Sequence, residues 1–544
     1  MMAQEYHIVT SLLQMVPRTL ADAFLLRKVG IATGLTILIG HCWFTMWLVR
    51  RYLGPMRTAP IAHTSNFWIS KLGTAPPPND KETKDELSAF LIQCGQDPSQ
   101  LPWCVCWSFL GTPLVILNSL QSIKDVLIDA QLKKSRNGKP AAQRGRLINK
   151  IQNIVFGGKN INNTVGEEWR WRRLVMGRPF SKQKLTTNHL PFAIKRVKEL
   201  TSTIQQAADT RQTLELDDVF MDLTMDVINQ YLYGRSAEHE LDYSIVGGKT
   251  NLKHEHHLLG LGFMSPLIWL PFGIGQSAWA QQAFAPARYR IKRFINDSID
   301  RALEDAKACN DTKFHSLAAE VASKYNDDRV DLLNDFLTIT FAGHDTTAHT
   351  LAFAFSEIAR NPQIQEKIYE ETCAVFGPVM DDSTITSEKL SQLSYIRAVY
   401  QETMRLYPAV VFIPVHANDN IMADGQIISA GSEMWCNVRG LQMNSEIFPE
   451  PEKFKPERWL EIEVGSQNTR LHNFPNLSFT LGPHSCLGKS LALLELRLAI
   501  AHIVHHFTCS LKADHIIDTK VELTTKPRYG VPVNFQRRCY HMIQ

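Results

Sequence analysis

The sequence predicts a mainly α-helical protein with a small β portion, preceded by one N-terminal transmembrane helix. Three observations predict it. From Ile31 to Val49 run nineteen residues without a charge, bounded by Arg27-Lys28 and Arg50-Arg51, and that length just spans a bilayer core of about 30 Å. Beyond about Leu110 a short β-rich patch, Thr112 to Leu117, gives way to apolar residues at mostly helical spacing. Finally, 544 residues with 44% hydrophobic and 21% charged content supply ample core for a globular protein.

The same numbers exclude some functions. A net charge of +4 is too small for this length to imply nucleic acid, and no basic run or zinc-finger spacing is present. The ten cysteines show no framework pattern, and the close pair Cys104-Val-Cys106 has no second pair to complete a zinc site. Reduced thiols are therefore expected. The uncharged run starts too late and runs too long for a cleaved signal peptide.

Taken in order, residues 1–53 are expected to form the membrane anchor, with the helix at about 31–49. Residues 54–100, polar and proline-bearing with Ala-Pro-Pro-Pro at 75–78, read as a connector. Gly166-Glu-Glu-Trp169-Arg-Trp-Arg-Arg173 opens a helix on which Trp169 and Arg173, four apart, share a face; alone, this is equally an exposed basic helix with an aromatic anchor. Helices continue through Thr186–Gly234, and the apolar region His257 to Trp279 is less regular.

Asp331 to Asn361 is one long helical pattern stopped by Pro362. Inside it, Asp345 and Thr346 are poor helix formers. They require either a hydroxyl bonded to the i−4 carbonyl or a groove holding water and a small ligand. Glu402 and Arg405 place opposite charges on one helix face, and Arg458 follows downstream.

The last stretch, Phe479-Thr-Leu-Gly-Pro-His-Ser-Cys486-Leu-Gly488, is a loop feeding a helix N-terminus. Unpaired N–H groups of Leu487 and Gly488 and the helix dipole would favour thiolate at Cys486. Such a thiolate can be a nucleophile or a metal ligand; the alternative is an inert buried cysteine. Gly482 permits the sharp turn, and Gly488 removes a Cβ where something flat could lie.

Phe-x-x-Gly-x-x-x-Cys-x-Gly resembles the haem-ligand loop of the cytochrome P450 family, and the three motifs above match that family in order. The resemblance covers roughly residues 100 to 540. It implies a cytochrome P450 fold over 101–544, as one large domain, with heme b (iron protoporphyrin IX) ligated by the thiolate of Cys486. In such enzymes the thiolate pushes electron density that favours O–O cleavage. Trp169 and Arg173 would contact haem propionates. Ala342-Gly343 would let the helix pass close over the iron, with Asp345 and Thr346 relaying protons. Glu402, Arg405 and Arg458 would form a buried charge triad. Two histidines, His484 and His416, stand where the family usually has propionate-binding arginines. Arg170 and Arg172 are expected to point elsewhere and help dock an acidic electron donor.

The expected activity is therefore a haem-thiolate monooxygenase inserting one atom of O2 into an apolar small molecule. Phe336, Phe341, Ala342, Val410, Val411, Phe412 and Thr524 are the expected pocket. No nicotinamide or flavin motif occurs, so NADPH-cytochrome P450 reductase is the expected partner. By resemblance the domain faces the cytosol on the endoplasmic reticulum membrane, where the four sequons, Asn162, Asn296, Asn310 and Asn476, are chance matches. A role in secondary metabolism completes the expectation. The alternatives are a haem-thiolate isomerase or dehydratase working without a reductase, and a non-catalytic haem sensor.

Overall fold

The computed structural model describes residues 86–96, 102–107, 113–135, 138–234, 241–243, 248–250, 252–264, 282, 285–308, 316–325, 328–463 and 477–538. The expected membrane helix at 31–49 and most of the connector lie outside these residues, as do 265–279 of the irregular apolar region, Asn310 and Asn476. Among the described residues no helix is long and apolar enough to cross a membrane.

Within the stretch read as connector, α1 (Glu86–Gln96) is a folded helix. Its Leu91 and Cys94 are buried with Ile116 and Val411. Gly95 passes so close to Gly440 that a Cβ would stand 2.7 Å from that residue's Cα, which explains why small residues meet there.

The helices that position the site follow as α2 (Arg146–Phe156), α3 (Gly166–Gly177), α4 (Leu190–Thr210), α5 (Leu216–Tyr233), α6 (Leu252–Met264) and α7 (Ala285–Ala308). After them come α8 (Arg329–Arg360), α9 (Pro362–Phe376), α10 (Ser394–Leu406) and α11 (Lys489–His506).

The centre of the domain is α8, of 32 residues. It starts where the Asp328 side chain accepts the N–H of Asp331. It stops at Asn361, because the proline that follows disfavours helical backbone in the residue before it. Pro362 then opens α9 at its first position. Leu351 and Phe355 of α8 join one core with Phe220, Ile396 and Leu496. Phe336 and Phe341 join a second with Ile228, Ile291 and Val175. A helix buried nearly all round needs apolar residues on every face, which is how this segment reads.

The larger sheet is built from β1 (Trp103–Trp107), β2 (Pro113–Leu117), β3 (Ala142–Arg144), β4 (Phe412–Ala417) and β5 (Glu433–Asn437), in the order β1-β2-β5-β4-β3. Its register decides one site question. On β4, His416 is paired with Gln143 of β3 and Glu433 of β5, while the next residue inward, Val415, is paired with Arg144 and Met434. Successive side chains alternate faces, so His416 and Arg144 point to opposite sides of the sheet. The hairpin of β6 (Thr519–Val521) and β7 (Thr525–Pro527) packs its second strand on α8.

Candidate active site

The loop before α11 closes on itself. The N–H of Cys486 donates to the carbonyl of Phe479 at 2.9 Å, and that of Ser485 to Gly482 at 3.1 Å. Gly482 is required twice over. Its φ is +70°, and a Cβ there would stand 2.1 Å from the carbonyl oxygen of Leu127. Cys94, Cys436 and Cys509 are buried and Cys373 is half-buried, whereas Cys486 is exposed.

The protein packed around Cys486 still desolvates the thiol and pushes it up. The N–H groups of Gly488 and Lys489 and the guanidinium groups of Arg173 and Arg144 act the other way. The donating pair thus lies one residue further along than the Leu487 and Gly488 expected from the sequence. The helix start at Lys489 is the reason, with Gly488 as its N-cap.

Around Cys486 stands a cationic and aromatic wall. The Trp169 and His484 rings lie 3.9 Å apart. Arg144 Nε donates to His484 Nδ1 at 3.2 Å, and a second Arg144 nitrogen donates to Asn162. Burial, together with Arg144 and Arg173, holds His484 down at about 2. This loop histidine is therefore a neutral acceptor rather than a cation in an arginine's place. The charge comes from Arg144, which burial and Arg173 lower only to about 10, leaving it protonated at neutral pH.

Arg144 was not legible from a motif. His416 is a second correction: it lies on the opposite sheet face, its Nδ1 2.8 Å from Glu433, and does not join this wall.

Above the loop in sequence order, α8 carries the acid–alcohol pair. Ala342 is exposed although Phe341 and His344 beside it are buried. Gly343 has a different purpose from the one expected. A Cβ there would meet Ile228 of α5 at 2.8 Å, so its smallness serves helix–helix approach. Thr346 Oγ1 donates to the Ala342 carbonyl at 3.0 Å, leaving its oxygen free only to accept.

Both oxygens of Asp345 are engaged: Oδ1 lies 3.4 Å from His349 Nε2, and Oδ2 accepts from Thr524. Burial opposes its charge, but His349 outweighs burial and keeps Asp345 well below the usual carboxylate range.

A cavity of about 400 Å³ borders Asp345, Phe341 and Thr524. Phe341 and Thr524, both expected near the substrate, line it. Phe336 is fully buried beside Tyr233, Val411 sits in the core with Leu91, and Phe412 stacks on Trp435 at 4.0 Å.

The triad assembles as expected from sequence. Glu402, Arg405 and Arg458 are 0%, 1% and 4% exposed. Arg405 forks onto Glu402 with bonds of 2.9 and 2.8 Å, and Arg458 Nε adds one of 3.0 Å. Trp459 Nε1 and the Lys455 N–H complete the carboxylate's partners. Every charge is paired and hydrogen-bonded, the condition under which burial of charge is tolerated.

Arg172, expected to face a donor protein, is instead 1% exposed. It bonds Asp335 at 2.5 Å and also reaches Asp331 and Glu168, bracing α3 against α8. Arg170 is exposed and paired with Glu167.

The donor set fits haem on three counts. One accessible sulfur meets helix N–H groups, two guanidinium groups stand beside it for carboxylates, and a Cβ at Gly488 would meet nothing within 4 Å. A thiolate loop, a buried Glu-Arg-Arg triad and a long helix bearing Asp-Thr together define a haem-thiolate oxygenase.

Comparison with known proteins agrees. The cytochrome P450 family model matches residues 82–532, and the chain belongs to that family. It is 24% identical over 424 residues to "Probable cytochrome P450 4d20" of Drosophila melanogaster, covering 73% of this chain and 79% of that protein. It is 25% identical over 452 residues to "Cytochrome P450 94C1" of Arabidopsis thaliana, covering 78% and 86%. A solved cytochrome P450 crystal structure (CYP102L1) superposes with a TM-score of 0.66 at 16% identity, over 83% of this chain and 94% of that one. The protein is a cytochrome P450 monooxygenase with a haem-thiolate cofactor, a class that takes electrons from a redox partner and binds small substrates.

Proposed function

We propose that this monooxygenase oxidises an apolar small molecule in secondary metabolism, anchored by residues 31–49 in the endoplasmic reticulum membrane with its catalytic domain in the cytosol. NADPH-cytochrome P450 reductase supplies the electrons. The uncharged run Ile31–Val49 supports the anchor, and the lack of any flavin or nicotinamide motif supports a separate reductase.

Cys486 would hold the haem through its thiolate. Arg144, Arg173 and Trp169 would hold the cofactor's carboxylates, and His484, through a protonated Nε2, would donate to one of them. Haem bound there supplies the reduction and cleavage of dioxygen. Ala342 leaves room on α8, while Thr346 would hold a water by accepting a hydrogen bond from it and Asp345 would connect that water to the polar cavity. Phe341 offers an apolar wall.

The observation that carries the proposal is the Cys486 thiol facing the N–H groups of Gly488 and Lys489 beside Arg173 and Arg144. The test is the reduced, CO-bound spectrum together with NADPH- and reductase-dependent product. A Cys486→Ser protein that kept the red-shifted thiolate band would overturn it, as would product formed without reductase.

A further inference from the structure

Three side chains stand in a row beside the cavity. His349 lies one turn beyond Asp345 on α8, with Nε2 3.4 Å from Asp345 Oδ1. Its Nδ1 is 2.7 Å from Oδ1 of Asp217, in the first turn of α5. The imidazole is almost wholly buried, and all three residues border the cavity. Two carboxylates on one imidazole is an arrangement that a helix cap or a packing contact does not need. It costs desolvation of three polar groups, and it engages the very oxygen of Asp345 that Thr524 leaves open.

We propose that His349 is a positioning residue for the acid of this P450's proton path: clamped by Asp217, it turns the Asp345 carboxylate towards the polar cavity and sets its ionisation. This rests on the haem-monooxygenase reading of the site.

The surrounding charges leave His349 as the group that answers Asp345. From α6, Lys253 is committed to Asp222 at 2.8 Å and to Asp218 at 3.6 Å. From the hairpin, Lys526 and Lys520 are each 2.6 Å from Glu522. On α8 itself burial lowers His344, and on α6 burial lowers His256 to about 3 and also lowers His257, so these three are neutral; His254 is exposed on the cavity's rim. Burial opposes a charge on His349 as well, but Asp345 and Asp217 outweigh it and hold it at about 10. The imidazolium therefore persists through neutral pH.

Removing it leaves Asp345 buried with only Thr524, and burial then raises the carboxyl towards neutrality. Held ionised, Asp345 passes on a proton only after accepting it from the cavity it borders, and gives it up at once because its carboxyl is so acidic. With His349 neutralised, Asp345 takes that proton too readily and holds it.

The test compares wild type, His349→Gln and His349→Lys as haem-loaded protein. Histidine ¹⁵N NMR of the reduced, CO-bound wild type should show one imidazole protonated on both nitrogens up to about pH 9 and absent from His349→Gln. In turnover, His349→Gln should show a new ionisation in the kcat profile between about pH 5 and 8, with KM changed less than about 2-fold. His349→Lys, which keeps the charge, should lose that ionisation. An imidazole titrating near its ordinary 6.5, or identical profiles for Gln and Lys, would overturn the proposal. Either result with an intact thiolate spectrum leaves the haem reading standing, whereas loss of that spectrum in wild type overturns the reading beneath it.

Discussion

Arg144 Nε donates to Nδ1 of His484 across 3.2 Å, which joins the strand next to β4 to the loop that carries the thiolate. The acceptor role fixes the tautomer: the remaining proton of the neutral ring is on Nε2.

Arg144→Ala should therefore remove the cation and loosen the ring together. Partners of this kind typically matter about 10–100-fold for cofactor affinity, and haem transfer to an acceptor protein should accelerate by that order. Adding His484→Arg to Arg144→Ala returns a guanidinium to the wall and should recover most of the loss. Wild-type haem retention in Arg144→Ala would show that Arg173 and Trp169 suffice.

What the sequence disclosed and what it hid follow one rule. Contacts set within one helix or one loop were legible: Glu402 to Arg405 at i+3, Trp169 and Arg173 on one face, Cys486 before α11. Contacts set by tertiary register were legible only where a family motif carried them, as for Arg458 on Glu402. Arg144 lies in a three-residue strand without a motif, and only its pairing with Val415 shows which way it points. His416, one residue on, reads as a good substitute for arginine and faces the wrong side. Asp217 is more than a hundred residues from Asp345, although the i+4 spacing of Asp345 and His349 was available as a signal.

Gly343 illustrates the same limit and is testable alone. Its missing Cβ makes room for Ile228 Cδ1 and Cγ1, both at 2.8 Å from where the Cβ would be. Gly343→Ala should cost about 1–3 kcal/mol by overpacking, offset in part by better helix propensity of about 1 kcal/mol. Ile228→Ala removes both clashing atoms, so the double variant should be more stable than the sum of the single changes predicts. Additive melting shifts would mean that the two residues do not meet.

Two buried arginines should behave alike despite different expectations from sequence. Arg458→Ala leaves Glu402 with one charged partner fewer, and Arg172→Ala strips Asp335 of its guanidinium. Breaking such pairs costs about 3–5 kcal/mol each. The exposed Arg170 with Glu167 should cost under about 1 kcal/mol. Denaturation midpoints decide this. If Arg172→Ala melted normally and only slowed electron uptake, a donor-docking role would return.

The last prediction concerns Thr346. Its hydroxyl donates to the Ala342 carbonyl, so the oxygen presents lone pairs beside the accessible surface of Ala342. A water accepted there has one proton held by Thr346 and another free to serve the reaction, while Asp345 faces the cavity that resupplies it. Thr346→Ala removes the water's anchor without unpairing a buried group, since the Ala342 carbonyl keeps its helical bond. Alanine is also the better helix former. The variant should therefore fold, retain haem and consume NADPH, but return much of the oxygen as hydrogen peroxide. Proton placement of this kind is worth about 10²–10⁴-fold, and product per NADPH should fall at least 10-fold. Thr346→Ser keeps the lone pairs and should stay largely coupled, whereas Thr346→Val, which keeps the shape but loses the oxygen, should behave like alanine. Product, peroxide and NADPH counted in one reaction settle the matter: tight coupling in Thr346→Ala would mean that water is held elsewhere, and equal uncoupling in serine and valine would assign the effect to packing.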